Sequence, residues 1–571
     1  MNTPLEFFSH SPLDIGSKLY RDYCAGHKNL SPFFRYPYFQ DFQRFESKNT
    51  PRELDFDQKR REQVSEILIR WNRKIGNTSE AVSENLEKFR RPQTYCVVTG
   101  QQTTIFLGPL YTIYKSLTAI ALCDDLKQKF PFYEFTPIFW CSADDHDFYE
   151  ITTTRYVNDQ NQTIRQQYQT EDSHLKPAYE LPTPENLKTL ANEMLSANFP
   201  FHEKIHRLVH ETLDQAESVG HWFHLLASRL IGRLGLILIP SHLPVLRRLM
   251  QPIFSREIRQ GGKSTRLVRD SGQRLTKLGY HGQIERRPGA LNIFYHRDKR
   301  RYRITKIDDH FEMDQIDKCL SLSELEQSAR ESPEFFSPGA ALRPVVQDYL
   351  LPTAAYVAGP GEIAYFAQLD LVYDMFDVRM PTIFPRSGLT ILEPKIKRLT
   401  KKYNLSVKDV ADQKQGLIRR VMSESFSTEL DQQFASARRE VGEILHRITP
   451  QIRKIDEGAF QFSEKMFGKI DFMIGQTRKK VFQAHKKKNR TVRLQLETVL
   501  NHIFPDNKLQ ERSIHIFPFL EKYGEEMIDD LLLFIKKELT DLGKTAQRDE
   551  YFLRKQKIFD ASFTGERRAV D

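Results

Sequence analysis

The chain has 571 residues, 39 % hydrophobic and 28 % charged, with a formal net charge of +10 and a pI near 9.1. This allows about three or four domains of roughly 150 residues with sizeable soluble cores, and no apolar run reaches the ~18 residues that a membrane span needs. Five scattered cysteines, an odd number, exclude a disulfide framework and a CxxC metal pattern. The basic excess permits a polyanion or an acidic substrate without requiring one. Met1 to Glu6 lack a basic and apolar leader, so no secretory signal is expected, and a reducing cytoplasm is the expected setting.

In chain order, Pro32 to Phe39 is an aromatic, proline-broken segment suited to packing over a core. From Asp57 to Phe89, the positions Val64, Ile67, Leu68, Trp71 and Ile75 share one helical face. Tyr95-Cys-Val-Val98 reads as a buried strand stopping at Thr99-Gly100-Gln101-Gln102. A helix follows, opened by Gly108-Pro109, and then a second strand, Pro137 to Cys141, stops at Asp144-Asp145-His146-Asp147. A right-handed crossover puts both strand ends on one edge of a parallel sheet, where open α/β sheets bind ligands.

A helix is expected over Phe201 to Leu234, then a strand, Leu236 to Ile239, whose unbroken apolar run suits a sheet covered on both faces. Residues 267–313 read as a small β-rich insertion around a hairpin, Leu291–His296 with Tyr302–Thr305. Ala354–Val357 leads to Gly359-Pro360-Gly361-Glu362 and a helix through Ala367, Leu371 and Met375; Thr382–Phe384 ends at Pro385-Arg386-Ser387. Five candidate strands thus end in polar or glycine-rich groups, which predicts a nucleotide-type α/β core with one cleft. Beyond Glu393 the strands disappear. Leu430 to Ile448 is helical, Thr449-Pro450 reads as a fresh helix start, and Ile455, Ala459, Phe462 and Met466 form a heptad-like seam. An antiparallel helical hairpin is expected, its seam serving either internal packing or dimerisation. The domain reading is a core over 1–392, a coiled coil over 393–505 and a helical segment with a tail over 506–571.

Asp144, Asp145, His146 and Asp147 concentrate ionisable groups at a strand end. Asp145 and Asp147 are candidate Mg²⁺ ligands, and His146 with Asp145 a candidate acid–base pair; the competing reading is a solvated loop with Asp147 as a cap. Thr99, Gly100, Gln101, Gln102 and the Gly108 helix start suit a phosphate or carboxylate, although the segment is neither GxGxxG nor a P-loop. Gly359 and Gly361 form a similar turn. Lys115 is within reach of an anion or on the surface, Arg386 with Ser387 and Thr390 is a candidate phosphate clamp, and His281 and Gln283 are candidates to overhang the cleft. Cys96 and Cys141, within strands, read as buried hydrophobes. The basic run Arg478 to Arg493 reads as a solvated helix face, with no nucleic-acid motif beside it.

These segments carry a resemblance. Cys96-Val-Val-Thr-Gly-Gln-Gln102, Gly108-Pro-Leu-Tyr-Thr-Ile-Tyr-Lys115 and Pro137-Ile-Phe-Trp140 with Asp145-His-Asp147 resemble the bacillithiol biosynthesis cysteine ligase (BshC) family. The likeness continues through Leu342-Arg-Pro-Val-Val-Gln-Asp348, Tyr356-Val-Ala-Gly-Pro360, Ala367-Gln-Leu369 and Asn507-Lys-Leu-Gln-Glu-Arg512, and covers about nine tenths of the chain; the tail beyond Leu542 does not align. The resemblance implies a Rossmann-like core with inserted connecting segments, a C-terminal coiled coil that makes a homodimer, and amide formation between L-cysteine and glucosaminyl malate. Condensing a carboxylate needs activation, so ATP with Mg²⁺ is expected. In this reading the Thr99–Gln102 loop and Gly108 hold nucleotide or cysteine, Asp145 and Asp147 position Mg²⁺ or the cysteine ammonium, and His146 accepts a proton from the amine. Gln368 and Arg386 line the opposite wall. HxGH and KMSKS-like adenylation motifs are absent from the sequence. An adenylating nucleotidyltransferase with another acceptor, or a basic coiled-coil scaffold, are the competing readings.

Overall fold

A computed structural model describes residues 6–544 apart from 11–15, 37–38, 47–54, 184, 196–197, 317 and 425–427. The first residues, Pro37 and Tyr38 of the aromatic segment, and the tail beyond 544 lie outside the described residues. The chain forms two compact units: one comprises Phe7–Asp159, Thr163–Thr390 and the chain from Glu511, the other chiefly Ile391–Gln510.

The first unit is organised by five parallel strands: β1 (Thr94–Gln102), β2 (Glu134–Ser142), β3 (Ile237–Pro240), β4 (Thr353–Ala358) and β5 (Thr382–Pro385). Their spatial order is β5-β4-β1-β2-β3. The order reverses between β1 and β4, which is where a Rossmann-like sheet opens its crevice. Both faces are covered, so Val97, Val98, Ile138, Leu238 and Val357 are fully buried, each contributing roughly 1.5–3 kcal/mol. The crossover helix α1 (Tyr111–Lys129) is buried on every side from Thr112 to Cys123, because it lies inside the unit. The C-terminal helix Glu526–Lys544 packs on it, with Lys536 paired to Asp124 at 2.6 Å.

Several boundaries differ from expectation. Thr99 to Gln102 is strand: β1 stays in register with β2 from Thr94↔Glu134 to Gln102↔Ser142. Gly100 permits this, since a Cβ there would stand 2.8 Å from the Trp140 carbonyl oxygen. The expected helix over 201–234 is two, His202–Gln215 and Val219–Ile231, because Ser218 turns extended and caps the second by accepting from His221 N. The helix through Ala367 is likewise two short ones, Pro360–Phe366 and Asp370–Met375. The β-rich insertion starts later and runs further than 267–313. Residues Lys263–Lys277 are helical, and a five-stranded antiparallel sheet follows from Ala290–Arg297, Arg300–Ile307, His310–Met313, Cys319–Ser321 and Phe336–Pro338.

The second unit is helical. Its long hairpin pairs α2 (Thr428–Ile455) with α3 (Glu457–Lys488). The break falls at Asp456, not Thr449-Pro450: α2 runs through Pro450, while Asp456 is extended and caps α3 by accepting from Ala459 N at 2.6 Å. Arg438 pairs with Asp471 and Arg478 with Asp431, so numbers rise along one helix as they fall along the other. Ile455, Ala459, Phe462 and Met466 of the seam stay exposed, as do Phe472 and Met473. Elsewhere in this unit the Gln510 carboxamide joins Ile391, through both its N–H and its carbonyl, to the His502 carbonyl. Among the described residues no helix is long and apolar enough to cross a membrane.

Candidate active site

At the reversal between β1 and β4 the first unit holds a cavity of about 540 Å³, a size that suits a small-molecule site. Gly100, Gln101 and Gln102 enter from β1, Asp144 and Asp145 from the end of β2, and Gly359 to Glu362 from the end of β4; Glu150, Gln283, Arg301, Arg343 and Arg512 are among the other lining residues.

The floor is tied by Lys115. Its ammonium is 2 % exposed and donates to Gly100 O at 2.6 Å, Gln101 Oε1 at 3.2 Å and Glu362 Oε2 at 2.6 Å. All three donors are used, so Lys115 is neither a surface residue nor available to an anion. Glu362 accepts in addition from Tyr356 Oη at 2.7 Å and Gly359 N at 2.8 Å. Burial favours its neutral form, but Lys115 and the Gly359 amide hold its carboxyl below the usual range.

The members of the acidic loop have separate partners. Asp144 is buried and paired with Arg247; despite burial, Arg247 and Arg301 hold its pKa far down. Asp145 accepts from His146 N at 2.7 Å, from Asp147 N at 3.3 Å and from the Gln102 amide; against burial, Arg301 and Gln102 keep it below the ordinary carboxylate range. Asp147 is exposed and accepts from Glu150 N at 3.1 Å, capping the short helix Phe148–Thr152. Asp145 and Asp147 therefore do not converge on a cation, and no group of three or more metal-ligating side chains occurs among the described residues. The donor set does not fit Mg²⁺. His146 stands beside the cavity rather than in its lining. Burial and then Arg301 lower it to about 4, and its Nδ1 faces Arg301 Nη1 at 3.4 Å, so it is a poor proton acceptor at neutral pH.

Other expected site residues serve the scaffold. Thr99 Oγ1 donates to Val357 O at 2.9 Å, lacing β1 to β4. Gly108, with φ +67°, closes the turn before α1; a Cβ there would meet Thr104 Oγ1 at 2.5 Å, and the Leu110 amide donates to Ile514 O rather than to an open cleft. Gln368 is 1 % exposed and not on the wall: its carbonyl accepts from Gln283 N and Ile284 N at 2.6 and 2.8 Å, while its amide donates to Val268 O and Ile284 O. It sets the loop that brings Gln283 to the cavity. His281 bonds Gln283 Oε1 at 3.1 Å and does not line the cavity. Arg386 borders the cavity, but both its terminal nitrogens are bound by Glu511 at 2.9 and 2.5 Å, so it is no phosphate clamp. Ser387 is buried, its amide donating to Thr118 Oγ1.

The groups that face the cavity with spare capacity are ones whose local sequence gave little sign of it. Glu150 opens onto it, and desolvation, reinforced by Asp147 and Asp145, pushes its carboxyl up to about 7. Among the described residues the hydrogen bonds of Arg343 go to the neutral Gln347 Oε1, Tyr356 Oη and Tyr365 Oη at 2.8–3.3 Å, with Glu362 attracting it from further off. Arg512 is exposed and has no carboxylate partner among the described residues. Arg343 and Arg512 each lie inside a stretch that carries the family resemblance, and that was the available signal. Four cysteines, Cys24, Cys96, Cys123 and Cys141, are buried, and burial raises Cys24 and Cys96 to about 12.

The profile described as "Bacillithiol biosynthesis BshC, N-terminal Rossmann-like domain" matches residues 7–387, and "Bacillithiol biosynthesis BshC, C-terminal coiled-coil domain" matches 389–539. The chain belongs to the BshC family. BshC relatives named "Putative cysteine ligase BshC" include that of Salinibacter ruber, 30 % identical over 539 residues (93 % of this chain, 97 % of the relative). That of Chlorobaculum tepidum is 32 % identical over 543 residues (90 % and 94 %), and that of Symbiobacterium thermophilum 32 % identical over 485 residues (82 % and 86 %). The BshC match thus includes both the sheet that bears the cavity and the helical hairpin.

Proposed function

We propose that this protein is a ligase that joins the carboxyl group of L-cysteine to the amine of glucosaminyl malate, the amide-forming last step of bacillithiol synthesis. Family membership supports the pathway. The observation that carries the chemistry is the meeting, in one cavity, of the Glu150 carboxyl with Arg343 and Arg512, neither of which forms a salt bridge among the described residues. Glu150 takes the proton that the attacking ammonium must lose before its nitrogen becomes nucleophilic. Arg343 and Arg512 hold the malate carboxylates by charge-assisted hydrogen bonds. As a cosubstrate, ATP supplies the leaving group: the cysteine carboxylate oxygen departs with phosphate or AMP as the C–N bond forms, and the amine proton passes to Glu150. No step is assigned to Mg²⁺. The free state of all five cysteines fits a reducing cytoplasm, and the exposed Ile455, Phe462 and Met473 of the helical hairpin fit pairing with a second copy.

The test is mass-resolved product analysis of the purified protein with L-cysteine and glucosaminyl malate, with and without ATP. An ATP-dependent product at the bacillithiol mass, strongly reduced in Glu150→Gln, is expected. Absence of that product from the folded wild-type protein under every condition refutes the assignment.

A further inference from the structure

Arg301 belongs to the second strand of the antiparallel insertion, yet its guanidinium lines the cavity at the ends of β1 and β2. It is 6 % exposed and lies 3.9 Å from the centre of the Phe294 ring. Its Nε donates to Ser337 Oγ at 3.0 Å and its Nη2 to Pro338 O at 2.7 Å. Ser337 Oγ in turn is hydrogen-bonded to His296 Nε2 at 2.7 Å, and His296 Nδ1 to Tyr179 Oη at 3.1 Å. Burial first, then Arg247, lowers His296 well below its ordinary pKa and keeps the imidazole neutral. The guanidinium is thus aimed from behind by a buried serine and histidine, with donors left over on Nη1 and Nη2.

Beside it stands Asp145. Arg301 Nη1 and Asp145 Oδ1 are 3.9 Å apart, an ion pair too long for a hydrogen bond, so each charge steadies the other while leaving hydrogen-bonding capacity for a ligand. Asp145 is held by the Gln102 amide and by the amides of His146 and Asp147. A fixed cation and a fixed anion side by side at a cavity wall match a ligand that carries the opposite pair on one carbon.

We infer that Arg301 and Asp145 form the recognition point for the zwitterionic head of an α-amino acid, Arg301 taking its carboxylate and Asp145 its ammonium. His296 acts through Ser337 as a positioning residue. The inference rests on the ligase reading for the identity of that amino acid, cysteine. The antiparallel insertion thereby acquires a purpose, since it carries the arm that reads the carboxylate, while the Rossmann-like sheet carries the carboxylate that reads the amine.

The experiment is calorimetric binding of L-cysteine, cysteamine (no carboxylate) and 3-mercaptopropionate (no ammonium) to the full-length protein. The wild type is expected to prefer cysteine to each analogue by about 10–100-fold, the range for one charge-assisted hydrogen-bonded contact. Arg301→Met should erase the preference over cysteamine and keep that over 3-mercaptopropionate; Asp145→Asn should do the reverse. His296→Ala should weaken cysteine binding without affecting cysteamine, and His296→Gln, whose carboxamide can bond both Ser337 and Tyr179, should restore it. A folded Arg301→Met protein that retains the preference over cysteamine overturns the inference, as does a wild type that does not discriminate. Selective binding without amide product leaves the recognition point standing and removes the ligase reading; amide product with discrimination unchanged in Arg301→Met does the opposite.

Discussion

Arg386 separates a structural reading from a ligand-binding one, and Glu511→Gln tests the difference. The Arg386 and Glu511 side chains are 5 % and 3 % exposed, and their two bonds form a fork. Glu511 also accepts from Leu389 N at 3.1 Å, and His10 Nδ1 stands 3.6 Å away. Glutamine keeps one acceptor but turns an N–H group toward the guanidinium, leaving a buried cation uncompensated. Removing one partner of such a pair costs about 3–5 kcal/mol, a factor of roughly 10² to 10³·⁵ in the folding equilibrium. Urea unfolding followed by circular dichroism should show that loss as a lower midpoint at unchanged slope. The pH dependence has a fixed sign. Burial raises the Glu511 pKa, but Arg386 and His10 outweigh it and hold the carboxyl below its ordinary value. Its stabilisation is therefore present above the ordinary carboxylate range and lost as pH falls through the depressed pKa. A loss under about 1 kcal/mol, or an Arg386→Lys protein of native stability with a strongly raised KM for ATP, refutes the structural reading.

Three further outcomes are expected. Glu150→Gln should lower kcat by about 10²- to 10⁴-fold and flatten the rise of wild-type activity through about pH 7, since Glu150 accepts a proton only above its elevated pKa; an unaltered pH–rate profile removes its role. Arg343→Ala should raise KM for the sugar substrate by about 10–100-fold with a smaller change in KM for cysteine, which steady-state kinetics resolves. Gly100→Ala should destabilise the protein by about 1–3 kcal/mol in thermal or urea melts, because the new methyl group meets the Trp140 backbone at 2.8 Å.

The parallel core was legible because its strands are unbroken apolar runs, and the phase of their polar ends placed the crevice. What stayed hidden was set by contacts between distant segments. Nothing local marks Gly100 as mid-strand; its partner is Trp140 across the sheet. Gln368 is expected on the wall in the family-based reading, yet the backbone of residues 283–284 and 268 consumes its carboxamide. The acidic run read as one constellation, but Arg247 and Arg301 arrive from more than a hundred residues away and draw its members apart. Pro450 was overweighted: an exposed hairpin helix continues past one missing donor, and the capping aspartate six residues on makes the turn.

The four core cysteines have a consequence for the proposed ligase, whose substrate and product would both be thiols. Disulfide exchange proceeds through the thiolate, and burial suppresses that form at each of them, with Cys24 and Cys96 pushed up to about 12. Oxidised cysteine or oxidised product therefore meets no competent nucleophile in the interior, and mixed disulfides with the catalyst's own core are suppressed even as the surrounding thiol pool is oxidised.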